Sequence, residues 1–186
     1  MPEVATSSRR EQIVDAARGI LEGQGADALT VRRLAEALGI RAPSLYKHFP
    51  DKAAVEVALM QIGLQEAGAA LARALDAPDP LSALAAAYRR FALDHPHLYR
   101  LMTTRPLPRE RLAPGVEAGV AAPLMSVMGG DLDRARALWG MAHGLVLLEL
   151  DGRLPADADI DAAWRVGVQA FGAARPRPAT RKEASA

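Results

Sequence analysis

Residues 29–55 read LTVRRLAEALGIRAPSLYKHFPDKAAV, and the helix starts and stops within them decide the fold. Thr30 is a good N-cap for a short helix that turns Leu34, Ala35 and Leu38 inward. Gly39 then supplies the positive-φ position of a tight turn. A second short helix, about residues 43–48, buries Leu45 and Phe49, and Pro50 stops it. Asp51 caps the next helix. Upstream, Ile13, Ala16, Ala17, Ile20 and Leu21 recur at helical spacing behind a Ser8 cap, and Gly23 and Gly25 close that helix. Two short helices joined by a Gly-containing turn and braced by a third make a helix-turn-helix.

Charge supports a nucleic-acid reading of this head without compelling it. Net charge is +1, but residues 30–52 carry Arg32, Arg33, Arg41, Lys47 and Lys52 against Glu36 and Asp51. Residues 53–172 carry 11 basic and 14 acidic groups, so the basic head sits on a mildly acidic body. A solvated helix face often carries as much positive charge, and Tyr46 with Phe49 also reads as small-domain core. On residue chemistry alone, both readings stand.

The stretch 29–55, with the helix before it, closely resembles over residues 10–56 the DNA-binding domain of the tetracycline-repressor (TetR) family of bacterial regulators. The shared features are Thr30, Leu34-Ala35, Gly39-Ile40, Leu45-Tyr46, His48-Phe49 and Lys52, in that order. Arg41 departs from the pattern, because the family often has a Ser or Thr cap there and Arg cannot cap through an oxygen. Direct base reading falls to Arg32, Pro43, Ser44 and Lys47, with Ala42 in close contact and Arg41 on a phosphate or a guanine, and the resemblance implies such DNA contact for Arg32, Pro43 and Ser44. Thr30, Tyr46, His48 and Lys52 sit where they could anchor phosphates, and the resemblance implies DNA contact for Tyr46 among them. The resemblance has wider implications too. A double-stranded DNA operator, repression and a dimer reading a palindrome are its further implications.

Helical patterning continues to the end of the body. Val55, Leu59, Ile62, Leu64, Ala67, Leu71 and Leu75 keep a helical period from Lys52 to about Asp76, with no Pro to interrupt them. Asp79-Pro80 is a cap followed by Pro at the first helical position, opening a helix to about Asp94. A short helix over 97–103, a loop over 104–115, helices near 116–128 and 131–150, and a last one over 159–174 complete the expectation. No alternating strand pattern of useful length occurs, so the expected class is all-α. The expected units are a head at 8–52, an effector-binding and dimerisation body at 53–174, and a disordered basic tail at 175–186.

The stretch 133–150 is apolar nearly all round and so needs cover on more than one side. A homodimer is the natural cover, with Leu138, Ala142 and Leu145 on this helix and Trp164, Val168 and Phe171 on the last as the expected interface. Between the long helix and these, Tyr88, Phe91, Tyr99, Met102, Trp139 and His143 are the expected lining of a pocket for a small, mostly apolar effector that lowers DNA affinity. Arg105 is a further polar candidate. His143 reads either as a buried His bonded to backbone or to Tyr88, or as a contact to the effector. The segment 80–150, with Trp139 and His143-Gly144, resembles the C-terminal domain of a TetR subgroup named for its Trp, His and Gly.

Other classes find little support. Cys is absent, so thiolate metal sites, disulfides and Cys nucleophiles are excluded. His95 and His97 are separated by a Pro, and no metal-binding, phosphate-cradling or nucleophile-elbow motif occurs. No catalytic residue, cofactor, metal or membrane partner is expected, and the expected location is the cytoplasm.

Overall fold

A computed structural model describes residues 8–173. Among them lie nine α-helices and two single turns of 3₁₀ helix, with no strand. The expected tail at 175–186 lies outside the described residues. Helix α1 (Arg9–Gln24) opens on a reciprocal cap: Ser8 Oγ accepts from the Glu11 amide at 3.2 Å, and Glu11 Oε2 accepts from the Ser8 amide at 2.7 Å. It ends at Gly25, whose φ of 81° only glycine adopts without strain.

Helix α2 (Val31–Ala37) starts on Thr30, and α3 (Ala42–Leu45) follows the Gly39 turn, where φ is 63°. The helix expected over 43–48 is a single turn at 42–45. Beyond it the Leu45 carbonyl accepts from both His48 and Phe49, the tightening that ends a helix when its last carbonyls need partners. The long helix α4 (Lys52–Ala74) is capped by Asp51, which accepts from the Ala54 amide at 2.6 Å. Helices α5 (Pro80–Asp94) and α6 (Pro96–Thr103) meet at His95, where Pro96 removes the amide that would continue α5. The loop after α6 contains a 3₁₀ turn at Arg109–Arg111. Helices α7 (Val116–Val127), α8 (Leu132–Leu150) and α9 (Ile160–Ala173) complete the body.

The head is not cored by itself. Ile13, Leu21, Leu34, Leu45 and Phe49 form one buried cluster with Val55, Leu59 and Met60 of α4 and with Leu98 and Leu101 of α6. Polar ties reinforce the same junction. Arg18 on α1 grips both carboxylate oxygens of Glu66 on α4, at 2.5 and 2.7 Å, and His95 Nδ1 lies 3.1 Å from Glu22. Farther along α4, Gly68 brings α7 close, since a Cβ there would lie 3.2 Å from the Val120 Cα. Thus α4 is at once a wall of the head and the spine of the body.

Candidate functional site

The outer face of α2 and α3 presents polar side chains over an apolar back. Leu45 and Phe49 are buried, while Arg32, Arg41, Pro43, Tyr46 and Lys47 are exposed and Ala42, Ser44 and His48 are half-buried. The Thr30 hydroxyl accepts from the Arg33 amide at 3.2 Å, which leaves its proton to donate outward. Arg32 Nε donates to Glu36 at 2.8 Å across one helical turn in full solvent, a weak restraint. Arg41 makes no side-chain capping bond, as its chemistry requires.

Arg10 is a residue that sequence reasoning passed over. Its guanidinium lies 4.1 Å above the Phe49 ring and donates to the His48 carbonyl at 2.9 Å, pinning the end of the α3 segment. Thirty-eight residues separate the partners, so no local spacing announced the contact. Lys52 is less free than a surface anchor would be. Its ammonium donates to the Ala26 carbonyl at 3.3 Å and lies 3.2 Å from Glu56. Glu56, buried on α4, also escaped the sequence reading, because it occupies an otherwise apolar helix face.

A cavity of about 520 Å³ opens among α4, α5, α6, α7, α8 and the loop after α6. Tyr88, Phe91, Tyr99, Met102, Trp139 and His143 all line it, together with Leu64, Leu71, Leu124 and Met125. The volume lies within the range of small-molecule sites. A hydrogen-bonded chain runs along one wall. Trp139 Nε1 donates to the Tyr88 hydroxyl at 3.1 Å, Tyr88 and Tyr99 hydroxyls are 2.8 Å apart, and Tyr99 reaches His143 Nδ1 at 2.6 Å. Burial pushes both tyrosine hydroxyls above their ordinary pKa and holds the His143 imidazole below its own. All four side chains are therefore neutral at neutral pH. Indole can only donate, so the sense Trp139 to Tyr88 to Tyr99 to His143 Nδ1 is the one that uses every hydroxyl proton. The remaining imidazole proton then sits on Nε2. His143 bonds to Tyr99, rather than to backbone or to Tyr88, and lines the cavity as well.

The expected dimer residues lie mostly inside the protomer. Leu138, Ala142, Trp164 and Val168 are buried inside the protomer, and Phe171 packs half-buried in the same core. Trp164 is further held by its own polar bond, Nε1 donating to Glu149 at 2.7 Å. The physical reason is rotational. A helix apolar on several sides does not announce which side its own chain covers, and each residue turns the face by about 100°. The outward apolar groove is instead lined by Gly140, Gly144, Leu145 and Leu148 of α8 and by Val166 and Gly167 of α9. Of the six expected residues, Leu145 alone lines it.

Among the described residues no group of three His, Cys, Asp or Glu side chains is placed to hold a metal ion. No described helix is long and apolar enough to cross a membrane.

Comparison with known proteins bears on both halves. Residues 13–59 match the family model of bacterial regulatory proteins of the tetR family, and residues 81–171 match that of a tetracyclin repressor-like C-terminal domain. An uncharacterized HTH-type transcriptional regulator of Mycobacterium tuberculosis is 35% identical over 173 residues, covering 83% of this chain and 76% of that protein. The class D tetracycline repressor of Escherichia coli is 48% identical over 50 residues, which are 27% of this chain and 23% of the repressor. The solved structure of the multidrug binding protein EbrR, complexed with imidazole, superposes with a TM-score of 0.66 at 26% identity, over 95% of this chain and all of that one.

Proposed function

We propose, because this chain belongs to the tetracycline-repressor (TetR) family of bacterial regulatory proteins, that it is a cytoplasmic repressor which binds a palindromic operator as a homodimer and is released by a small effector. Membership makes it a DNA-binding regulator of transcription with a helix-turn-helix, and its relatives are regulators rather than enzymes. The observation that carries the DNA reading is the α2–α3 face: a row of exposed polar side chains held from behind by Leu45, Phe49 and the Arg10 clamp. A single turn of helix with its polar side outward fits a major groove, which admits one helix. Ser44, Lys47 and Arg32 read bases, Ala42 and Pro43 offer apolar contact, and Arg41 meets a phosphate or a guanine. Thr30, Tyr46, His48 and Lys52 anchor phosphates. Head and body divide near residue 52, with α4 shared between them.

The second copy sits on the outward groove of α8 and α9. Gly140 and Gly144 leave open space on α8, and Leu148 and Val166 are exposed beside them, an apolar face that a partner helix would cover. In this reading the finer likeness to the Trp-His-Gly subgroup has a division of labour. Trp139 and His143 serve the cavity, and Gly144 serves the partner. The effector occupies the cavity, as a small molecule does in the family, and displaces α4 and with it the head.

Selection of bound duplexes from a random DNA pool tests the central claim. An inverted repeat is expected, with half-site centres about 34–36 Å apart. Failure to enrich any sequence, or enrichment of one without twofold symmetry, overturns it. Sedimentation at micromolar concentration should give a dimer, and Leu148→Glu with Val166→Glu should give monomers that bind DNA poorly. A monomeric wild type removes the second copy from the reading.

A further inference from the structure

We propose that the cavity's ligand is an amphipathic carboxylate whose anionic end is taken by Arg105, and that Glu56 relays its arrival to Lys52 of the DNA-binding head. The proposal rests on the reading of the cavity as the effector site and adds the chemical class and the path.

The charge comes from the mouth of the cavity. Arg105, Arg109, Arg136 and Glu117 are its ionised lining groups. Arg109 Nε already spans both oxygens of Glu117, at 2.9 and 3.0 Å, and Arg136 reaches Asp133 of its own helix at 3.3 Å. Arg105 has one partner among the described residues, Glu56 Oε2, at 3.5 Å, the outer limit of a hydrogen bond. Arg105 and Arg136 are thus both weakly held, and Arg105, half exposed, is the one that also reaches a buried carboxylate of α4; its planar fork matches a carboxylate. The rest of the wall suits an apolar body. Leu64, Leu71, Leu124 and Met125 supply aliphatic surface, and the Trp139 and His143 rings stack with centroids 6.0 Å apart.

The relay comes from Glu56. Its carboxylate is nine-tenths buried and faces two cations from two parts of the molecule, bonded well by neither. Oε2 has the long contact to Arg105. Oε1 lies 3.2 Å from Lys52 Nζ but off the line of a hydrogen bond, and among the described residues it has no other partner. Lys52 instead donates to the Ala26 carbonyl at the edge of the head. A buried charge must be paired. A ligand carboxylate that draws Arg105 away leaves Glu56 with Lys52 alone, so the ammonium is pulled into the protein and away from phosphate. The two sites are then linked by competition for one carboxylate, which is a coupling of the kind that lowers DNA affinity when ligand binds.

The test uses the full chain with 4-phenylbutyrate and its uncharged isostere 4-phenylbutanamide, titrated by calorimetry. The acid is expected to bind about tenfold or more tighter than the amide. Arg105→Gln should remove that difference, while Trp139→Ala should weaken both. An amide that binds as tightly as the acid, or no binding of either, overturns the carboxylate class. Acid binding indifferent to Trp139→Ala places the ligand outside the cavity and overturns the reading of the site itself. The relay is tested without ligand, on the selected operator. Arg105→Gln should weaken DNA binding several-fold in the wild-type background and not at all beside Lys52→Ala, and the isosteric Glu56→Gln should tighten it. Equal effects of Arg105→Gln with and without Lys52 would show that no relay exists.

Discussion

The DNA-facing head and the cavity of the body are built on opposite principles. On the head, Tyr46 and Lys47 stand exposed in water beyond the last turn of α3, and Arg32 is tied only weakly, to Glu36 of its own helix. In the cavity, Trp139, Tyr88, Tyr99 and His143 hold one another in a single hydrogen-bonded line. A surface that reads a long polyanion gains from independent contacts, because each adds its own bond to base or phosphate. A cavity that recognises a small molecule must be preorganised, so its polar groups are mutually satisfied and substitutions there should not be additive. Between the two lies one shared core, and the contrast holds only if that core makes them a single mechanical unit.

The largest expected effect tests that unit. Leu98 on α6 is 1% exposed in the cluster that also holds the head helices. Leu98→Ala should cost about 2–5 kcal/mol and lower the melting temperature in one transition, weakening DNA binding although Leu98 touches neither surface. Two separate transitions, one for head and one for body, would break the comparison at its base. Next comes Tyr99→Phe, which removes the central link of the chain and leaves Tyr88 and His143 each short of a partner, at about 1–3 kcal/mol. Tyr46→Phe removes the same atom from an exposed ring and should change stability by less than about 0.5 kcal/mol. Denaturant titration of the pair decides whether the two surfaces differ as described.

Ser44→Ala should shift sequence preference at one half-site position, at about 1–3 kcal/mol of discrimination, and Arg32→Ala should do so at another. Lys52→Ala should weaken binding to all sequences alike and reduce the salt slope by about one unit. Reversal of these roles in binding curves across operator variants would undo the division between base readers and anchors.

The smallest effect concerns acid. Burial holds the His143 pKa below its ordinary 6.5, so the unfolded chain takes up the proton first as pH falls. The contribution of His143 to stability is full above about 6.5 and is lost as pH drops through that value toward the lower folded one. His143→Gln should flatten the acid limb of melting temperature against pH. An unchanged limb would show that the imidazole is not its source.

Much of this was legible in the sequence, for local reasons. Ser8, Thr30, Asp51 and Asp79 cap their helices through side chains a few residues from the amides they bind, and Gly25 and Gly39 turn the chain where only local φ matters. Helix order follows from such short-range spacing, whereas the meeting of Tyr88, Phe91, Tyr99, Met102, Trp139 and His143 around one cavity is set by how α5, α6 and α8 pack. The rotation of α8 and α9 was not legible either, because a helix apolar on every side carries no mark of which side its own chain covers. That is why Leu138, Ala142, Trp164 and Val168 lie inside the protomer and Gly140, Leu148 and Val166 outside. Nor did spacing reveal the contacts of Arg10 with Phe49, Arg105 with Glu56, or Tyr99 with His143. Their partners are brought together only when whole helices pack, since hydrophobic burial sets the positions and the polar groups then find what is within reach.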